Sequence, residues 1–188
     1  MKIKKLLFGV LFLMLLFSCT AGKAVHAMES KKITLDPLPK SATELKPAQT
    51  PHQTAAFAVA ALVRYTESPE TGIAMLNVLL GPRPVSNFGK QTLRDQLRGR
   101  EYIARSYFDG ATPDNNYTAG IPCSVTVSET PYSYQNENYA QLWIRSGGAD
   151  NPRPVTMRLK PSTGEWYLWE YAGLLAGIRV PAKDDFWK

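Results

Sequence analysis

The chain has 188 residues, 44% of them hydrophobic, and a formal net charge of +6. It holds two cysteines and two histidines, which excludes a disulfide scaffold and leaves little for a histidine-based metal or catalytic centre. The positive charge is not spread over the chain: residues 1–18 hold three lysines and no acid, while residues 55–188 hold 14 basic and 13 acidic groups. A domain built for nucleic acid concentrates basic charge on its folded face, so no nucleic-acid partner is expected.

Lys2, Lys4 and Lys5 precede an apolar run from Leu6 to Phe17. That run is too short to span a bilayer, which takes about 20 residues, and it fits the hydrophobic region of a secretory signal. Leu16-Phe17-Ser18-Cys19 follows at once and resembles the lipobox of bacterial lipoproteins. The resemblance implies a signal over 1–18, acylation of Cys19, and an exported protein held on the cell membrane by its lipid. Val25-His26-Ala27 offers a competing cleavage site, which gives a secreted protein beginning at Met28. Residues 19–50, with Pro37, Pro39, Pro47 and no sustained apolar period, read as a flexible, lipid-anchored tether. An ordered strand around Ile33 to Leu35 is the alternative there.

A single domain is expected over 51–188. Thr50-Pro51-His52-Gln53 has the pattern of a capping box with proline at the first helical position. Ala55 to Val63 is then apolar on every side, the mark of a buried helix. Ser68-Pro69-Glu70 repeats the start signal, Ile73, Leu76 and Leu80 mark one face, and Gly81-Pro82 ends the second helix. A third runs from about Ser86 to Arg98. Beyond a polar loop over 109–120 the period changes to two. Cys123, Val125 and Val127 alternate with polar residues, as do Val155, Met157 and Leu159, with Tyr139 to Arg145 between them and Glu165 to Tyr171 after the Pro161–Gly164 turn. Short connections make the last strands antiparallel. The expected fold class is α+β, with N-terminal helices packed on a C-terminal antiparallel sheet of about four strands, loosely like a cystatin-like or NTF2-like cone.

Several stretches are similar to those of a bacterial family of exported proteins known only as a domain of unknown function. They are Ala74-Met75-Leu76-Asn77 with Gly81-Pro82, Arg105 to Pro113, Tyr132 to Glu137, Trp166 to Glu170, and Gly177-Ile178-Arg179. The resemblance covers most of 55–188 and implies no catalytic residues.

The chemistry left to the domain is limited. After His52 there is no histidine, which argues against Ser-His-Asp and Cys-His devices, and His52 itself is expected on the exposed first turn of its helix. Cys123 shares a strand face with Val125 and Val127, so it reads as a packing residue. Gly81 to Lys90 lacks the spacing of a phosphate loop, and Asp109 to Asn116 lacks that of a calcium loop. No metal or cofactor is expected. Glu129 and Glu137 flank the Tyr132-Ser133-Tyr134 turn and could do acid–base work as a pair, though solvated turn charges are the commoner reading.

Aromatic residues are the suggestive feature. On the last strand Tyr167, Trp169 and Tyr171 point one way and Trp166 and Leu168 the other, while Tyr139, Trp143 and Arg145 share a face of the second strand. Tyr139, Trp143, Arg145, Tyr167 and Trp169 are therefore the candidate ligand-binding residues, suited to stacking on glycans or peptides. The competing reading covers that face with C-terminal residues such as Phe186 and Trp187. A non-enzymatic module binding an envelope ligand, glycan or protein partner is the leading expectation. The alternative is a small-pocket hydrolase- or isomerase-like enzyme using carboxylate and tyrosine groups.

Overall fold

The computed structural model describes residues 28–187; the expected signal and Cys19 lie outside them. Thr50 Oγ1 accepts the Gln53 N–H at 3.3 Å and Pro51 occupies the first helical position, opening α1 (Pro51–Glu67). Ser68 ends that helix and caps the next, α2 (Pro69–Leu80), by accepting the Thr71 N–H. The two helices lie so close that a Cβ on Gly72 would run into the backbone of Tyr65, which is why the position has no side chain. Ser86 caps α3 (Asn87–Leu97), and a single-turn α4 (Tyr102–Arg105) follows.

The strands are β1 (Glu29–Leu35), β2 (Cys123–Glu129), β3 (Tyr139–Ile144), β4 (Arg153–Lys160) and β5 (Glu165–Glu170). They pair antiparallel in the order β1-β2-β3-β4-β5. The class is α+β as expected, but the sheet has five strands, with β1 and β5 at its two edges. The extra strand comes from the segment that reads as a tether. Its whole length pairs with β2, from Glu29 opposite Glu129 to Leu35 opposite Cys123.

The rest of that segment also packs. Leu35, Leu45 and Ala48 are buried, and Arg64 Nε donates to the Pro39 carbonyl at 2.9 Å. The Trp166 N–H donates to the Ala48 carbonyl, and Thr54 Oγ1 accepts the Ala48 N–H and donates to the Trp166 carbonyl. Residues 36–50 thus cross from one edge of the sheet to the other, and the folded unit begins near Glu29 rather than at residue 51. The local pattern hides this. Lys31 and Lys32 interrupt the apolar pattern, and the strap is held by tertiary contacts, such as Arg64 to the Pro39 carbonyl, that no local period announces.

Alternation sorts the strands into two faces. Val125, Val127, Ala140, Leu142, Ile144, Val155, Met157 and Leu168 point inward and are almost completely buried. They meet α1, which touches every strand; its run of alanines lets the helix axis approach the sheet closely, so its small side chains are all sealed. Cys123 is half-buried on this same face, opposite Leu35. Outward point Gln141, Arg145, Pro154, Arg158 and Lys160, all exposed. β2 and β3 pair only at Val127–Ile144 and Ser128–Trp143, and the gap where they diverge is filled by Asp109. Its N–H donates to the Ser124 carbonyl, and its carboxylate accepts Ser124 Oγ and Thr126 Oγ1 at 2.9 and 2.8 Å.

Candidate functional site

The outer face carries a row across three strands. Tyr139 on β3 stands opposite Arg158 on β4, which stands opposite Tyr167 on β5. A register shift between Thr156 and Met157 leaves Trp169 as the extra residue of β5. Trp169 meets Tyr139 edge to face, with ring centroids 5.4 Å apart and planes at 82°, a favoured aromatic geometry. The Arg158 guanidinium lies 4.7 Å from the Trp169 centroid and 5.3 Å from that of Tyr139. A second guanidinium, Arg83, lies 3.6 Å from the Trp169 centroid. Both distances from the indole are within the range of attraction between a cation and the negative face of a ring.

Arg83 reaches the sheet because of how α2 ends. Gly81 has φ of 61°, a conformation that costs glycine nothing and other residues a good deal. A Cβ there would also lie 2.5 Å from the Tyr167 ring, so glycine lets the turn rest on the tyrosine. Pro82 and Pro84 fix the backbone on either side of Arg83, and Asn77 Oδ1 ties the turn back by accepting the Val85 N–H at 2.8 Å. Between turn and sheet lies a cleft of about 350 Å³, walled by Leu80, Pro82, Arg83, Arg158, Lys160, Pro161, Tyr167 and Trp169.

The charge in this cleft is one-sided. Among the described residues neither Arg83, Arg158 nor Lys160 makes an ion pair, and neither guanidinium has a hydrogen-bond acceptor. Of the two acids on the same hairpin, Glu165 is engaged by Thr163 Oγ1 at 2.8 Å and by the Tyr167 hydroxyl at 3.2 Å, and Glu170 accepts the Tyr171 and Ala172 N–H groups. Burial first, and then the Glu165 carboxylate, push the Tyr167 phenol above its ordinary pKa, so it remains a donor at neutral pH.

Of the candidate residues, Tyr139, Tyr167 and Trp169 come together here. Trp143 and Arg145 do not. Trp143 lies opposite Ser128 and Pro154, four residues from Tyr139 and therefore roughly 13 Å along the strand, and Arg145 is exposed beyond it. Tyr171 leaves the strip altogether and packs against the core, because the bulge resets the alternation. Phe186 and Trp187 are fully exposed and do not cover the sheet. The role of the indole also changes: with Arg83 stacked on it, Trp169 is a mount for two cations rather than an open platform for a sugar. Arg83 and Arg158 are the residues that sequence reasoning missed. Arg158 alternates onto the outer face and was findable; nothing local to Gly81-Pro82-Arg83-Pro84 announces a stack on a distant strand.

A second cluster corrects the expectation for His52. It is 3% exposed rather than on the surface, with Nε2 at 3.2 Å from Glu129 Oε2. The approach lacks hydrogen-bond geometry, so Nε2 has no hydrogen-bond partner among the described residues. Burial, then the neighbouring Lys31, lower its pKa, against the opposing pull of Glu129 and Glu29. The same Glu129 oxygen accepts the Tyr134 hydroxyl at 2.8 Å, and burial together with that bond raises the phenol's pKa. Glu29, Glu129 and Tyr134 line a cleft of about 250 Å³. Among the described residues no group of three or more His, Cys, Asp or Glu could hold a metal ion, and no helix is long and apolar enough to cross a membrane.

Fold and site together define an α+β module whose free sheet face carries an arginine–aromatic cleft. The chain belongs to the family described as domain of unknown function DUF6935, whose model matches residues 37–182. The match takes in most of the strap between β1 and α1. No curated protein and no solved structure matches the chain.

Proposed function

We propose that this protein is an exported, lipid-anchored module of the bacterial cell envelope that binds a ligand and does no chemistry on it. Anchoring rests on Cys19 directly behind the apolar run of 6–17. Binding rests on one observation above all: two guanidiniums share the Trp169 ring in a cleft, and among the described residues neither has an ion-pair or hydrogen-bonding partner. Arginines serving only stability are commonly tied to carboxylates or carbonyls, as Arg64 and Arg179 are here. Arg83 and Arg158 instead lie against an aromatic ring with no protein acceptor among the described residues, which leaves their N–H groups for a ligand.

The enzyme reading has its best residues in Glu129, Tyr134 and His52. Glu129 already accepts the Tyr134 hydroxyl, which ties β2 to the turn that follows it, and this favours a structural tie over a reacting group. The test uses the full-length protein in neutral detergent, screened by calorimetry against fractionated envelope extract. A fraction should bind the wild type and lose at least tenfold in affinity with Trp169→Ala, while Trp143→Ala keeps it. Cys19→Ala should abolish fatty-acid labelling and leave that binding intact. Turnover of any extract component, abolished by Glu129→Gln, would replace binding with catalysis.

A further inference from the structure

We infer that the group recognised by this cleft is a phosphate monoester carried on an organic body, a step that rests on the binding reading above. The argument begins with charge. Arg83 and Arg158 both lie against one indole, at 3.6 and 4.7 Å from its centroid, so they can be no farther apart than those two distances joined. Lys160 adds a third cation to the same wall. Like charges this close repel, and no acid among the described residues pairs with any of them. A carboxylate brings one negative charge and two oxygens. A phosphate monoester brings about −1.5 to −2 at neutral pH and three strong acceptor oxygens, enough to receive both arginine forks and still face the lysine.

Geometry supports the same class. A guanidinium stacked flat on a ring directs its N–H groups outward in its own plane, where they match phosphate oxygens two at a time. Arg83 and Arg158 lie against the Trp169 ring and Arg158 also against Tyr139, and the proline-flanked turn restricts the backbone at Arg83, so part of the ordering cost of binding is already met. The remaining wall, Leu80, Pro82 and Pro161, offers nothing to a bare ion and a dry surface to whatever the phosphate is attached to. That body is either a small soluble compound, such as a sugar phosphate, or the glycerol and acyl chains of a phosphatidic-acid headgroup. Both present the same terminal phosphate.

Isothermal titration of the full-length protein in dodecyl maltoside micelles separates these cases. The probes are glucose 6-phosphate, dioctanoyl phosphatidic acid, inorganic phosphate, glucuronate and glucose. At least one of the two esters should bind ten times or more tighter than glucuronate or inorganic phosphate, and glucose should not bind. Which ester wins identifies the source. Arg83→Ala and Arg158→Ala should each weaken the better ester at least tenfold, Arg83→Lys should weaken it by less, and Arg145→Ala, on the same face but outside the cleft, should change nothing. Glucuronate binding as tightly as the esters through the same arginines overturns the phosphate assignment and leaves the binding reading standing. Failure of every probe overturns the assignment; if the extract screen also finds no Trp169-dependent binding, the binding reading falls with it.

Discussion

The two faces of this sheet are made from the same strands and solve different problems. Inward, Leu142 and its neighbours are 0–1% exposed against α1, packed side chain against side chain. Outward, Tyr139, Trp143, Tyr167 and Trp169 are half-buried, and the rings at one end are held by each other and by arginines. Apolar matter on the inner face is hidden; on the outer face it is used to hold charge in position. Burial of an aromatic residue is therefore a poor guide to its job, and the informative question is what stands against the ring.

Three experiments sharpen that contrast. The largest effect should come from removing residues 29–49, because that deletes a strand of the sheet and the strap that reaches the opposite edge. Leu35 and Leu45 alone, at about 1.5–3 kcal/mol for each buried leucine, put the loss at roughly 3–6 kcal/mol. Urea denaturation reads it, and an unchanged midpoint would mean that β1 and the strap contribute nothing to the domain. Next comes a pair of neighbours on β3 that face opposite ways. Leu142→Ala should cost about 2–5 kcal/mol, as truncations that leave a cavity do, whereas Trp143→Ala should cost about 1 kcal/mol or less. Equal losses would show that the outer face is as tightly packed as the inner one.

The smallest effect concerns His52, which sits between Glu129, Glu29 and Lys31 at the edge of the inner layer. Its pKa in the fold lies below the ordinary value of about 6.5, so the unfolded chain takes up the proton first. The stability this contributes is complete above about pH 6.5 and is lost as pH falls through the lowered value. Thermal midpoints measured from pH 7.5 to 5 should drop more steeply for the wild type than for His52→Asn. Parallel curves would show that the imidazole titrates alike in both states.

How much of this was legible in the sequence follows from the range of the interactions. The starts of α1, α2 and α3 were readable because Thr50, Ser68 and Ser86 cap them from within one turn. The strands β2 to β5 were readable because alternation is local, and Tyr139, Tyr167 and Trp169 were placed on the outer face by that rule. What failed is what depends on distant partners. For β1 the tether reading gives way to the alternative of a strand around Ile33 to Leu35, which in the fold extends back to Glu29 because β2 pairs with its whole length. His52 reads as exposed because the partners that stand beside it, Glu129 among them, come from other parts of the chain. Tyr171 was misplaced by a single bulge, which no composition signals. Arg83 needed the turn after Gly81 to fold onto Tyr167.

The pairing of β1 with β2 has a mechanical consequence. Residues 1–27 join the folded unit at the start of β1, so any pull transmitted from that side of the chain enters through this strand. A load directed along the strand must shear the register from Glu29–Glu129 to Leu35–Cys123 all at once, whereas one directed across it opens the pairs singly, beginning with the two glutamates. The strap that follows then carries whatever force remains to Ala48 and the far edge, where it meets the backbone of Trp166. Resistance to stretching is thus set by the direction of the pull and by seven residues that contribute nothing to the arginine–aromatic cleft.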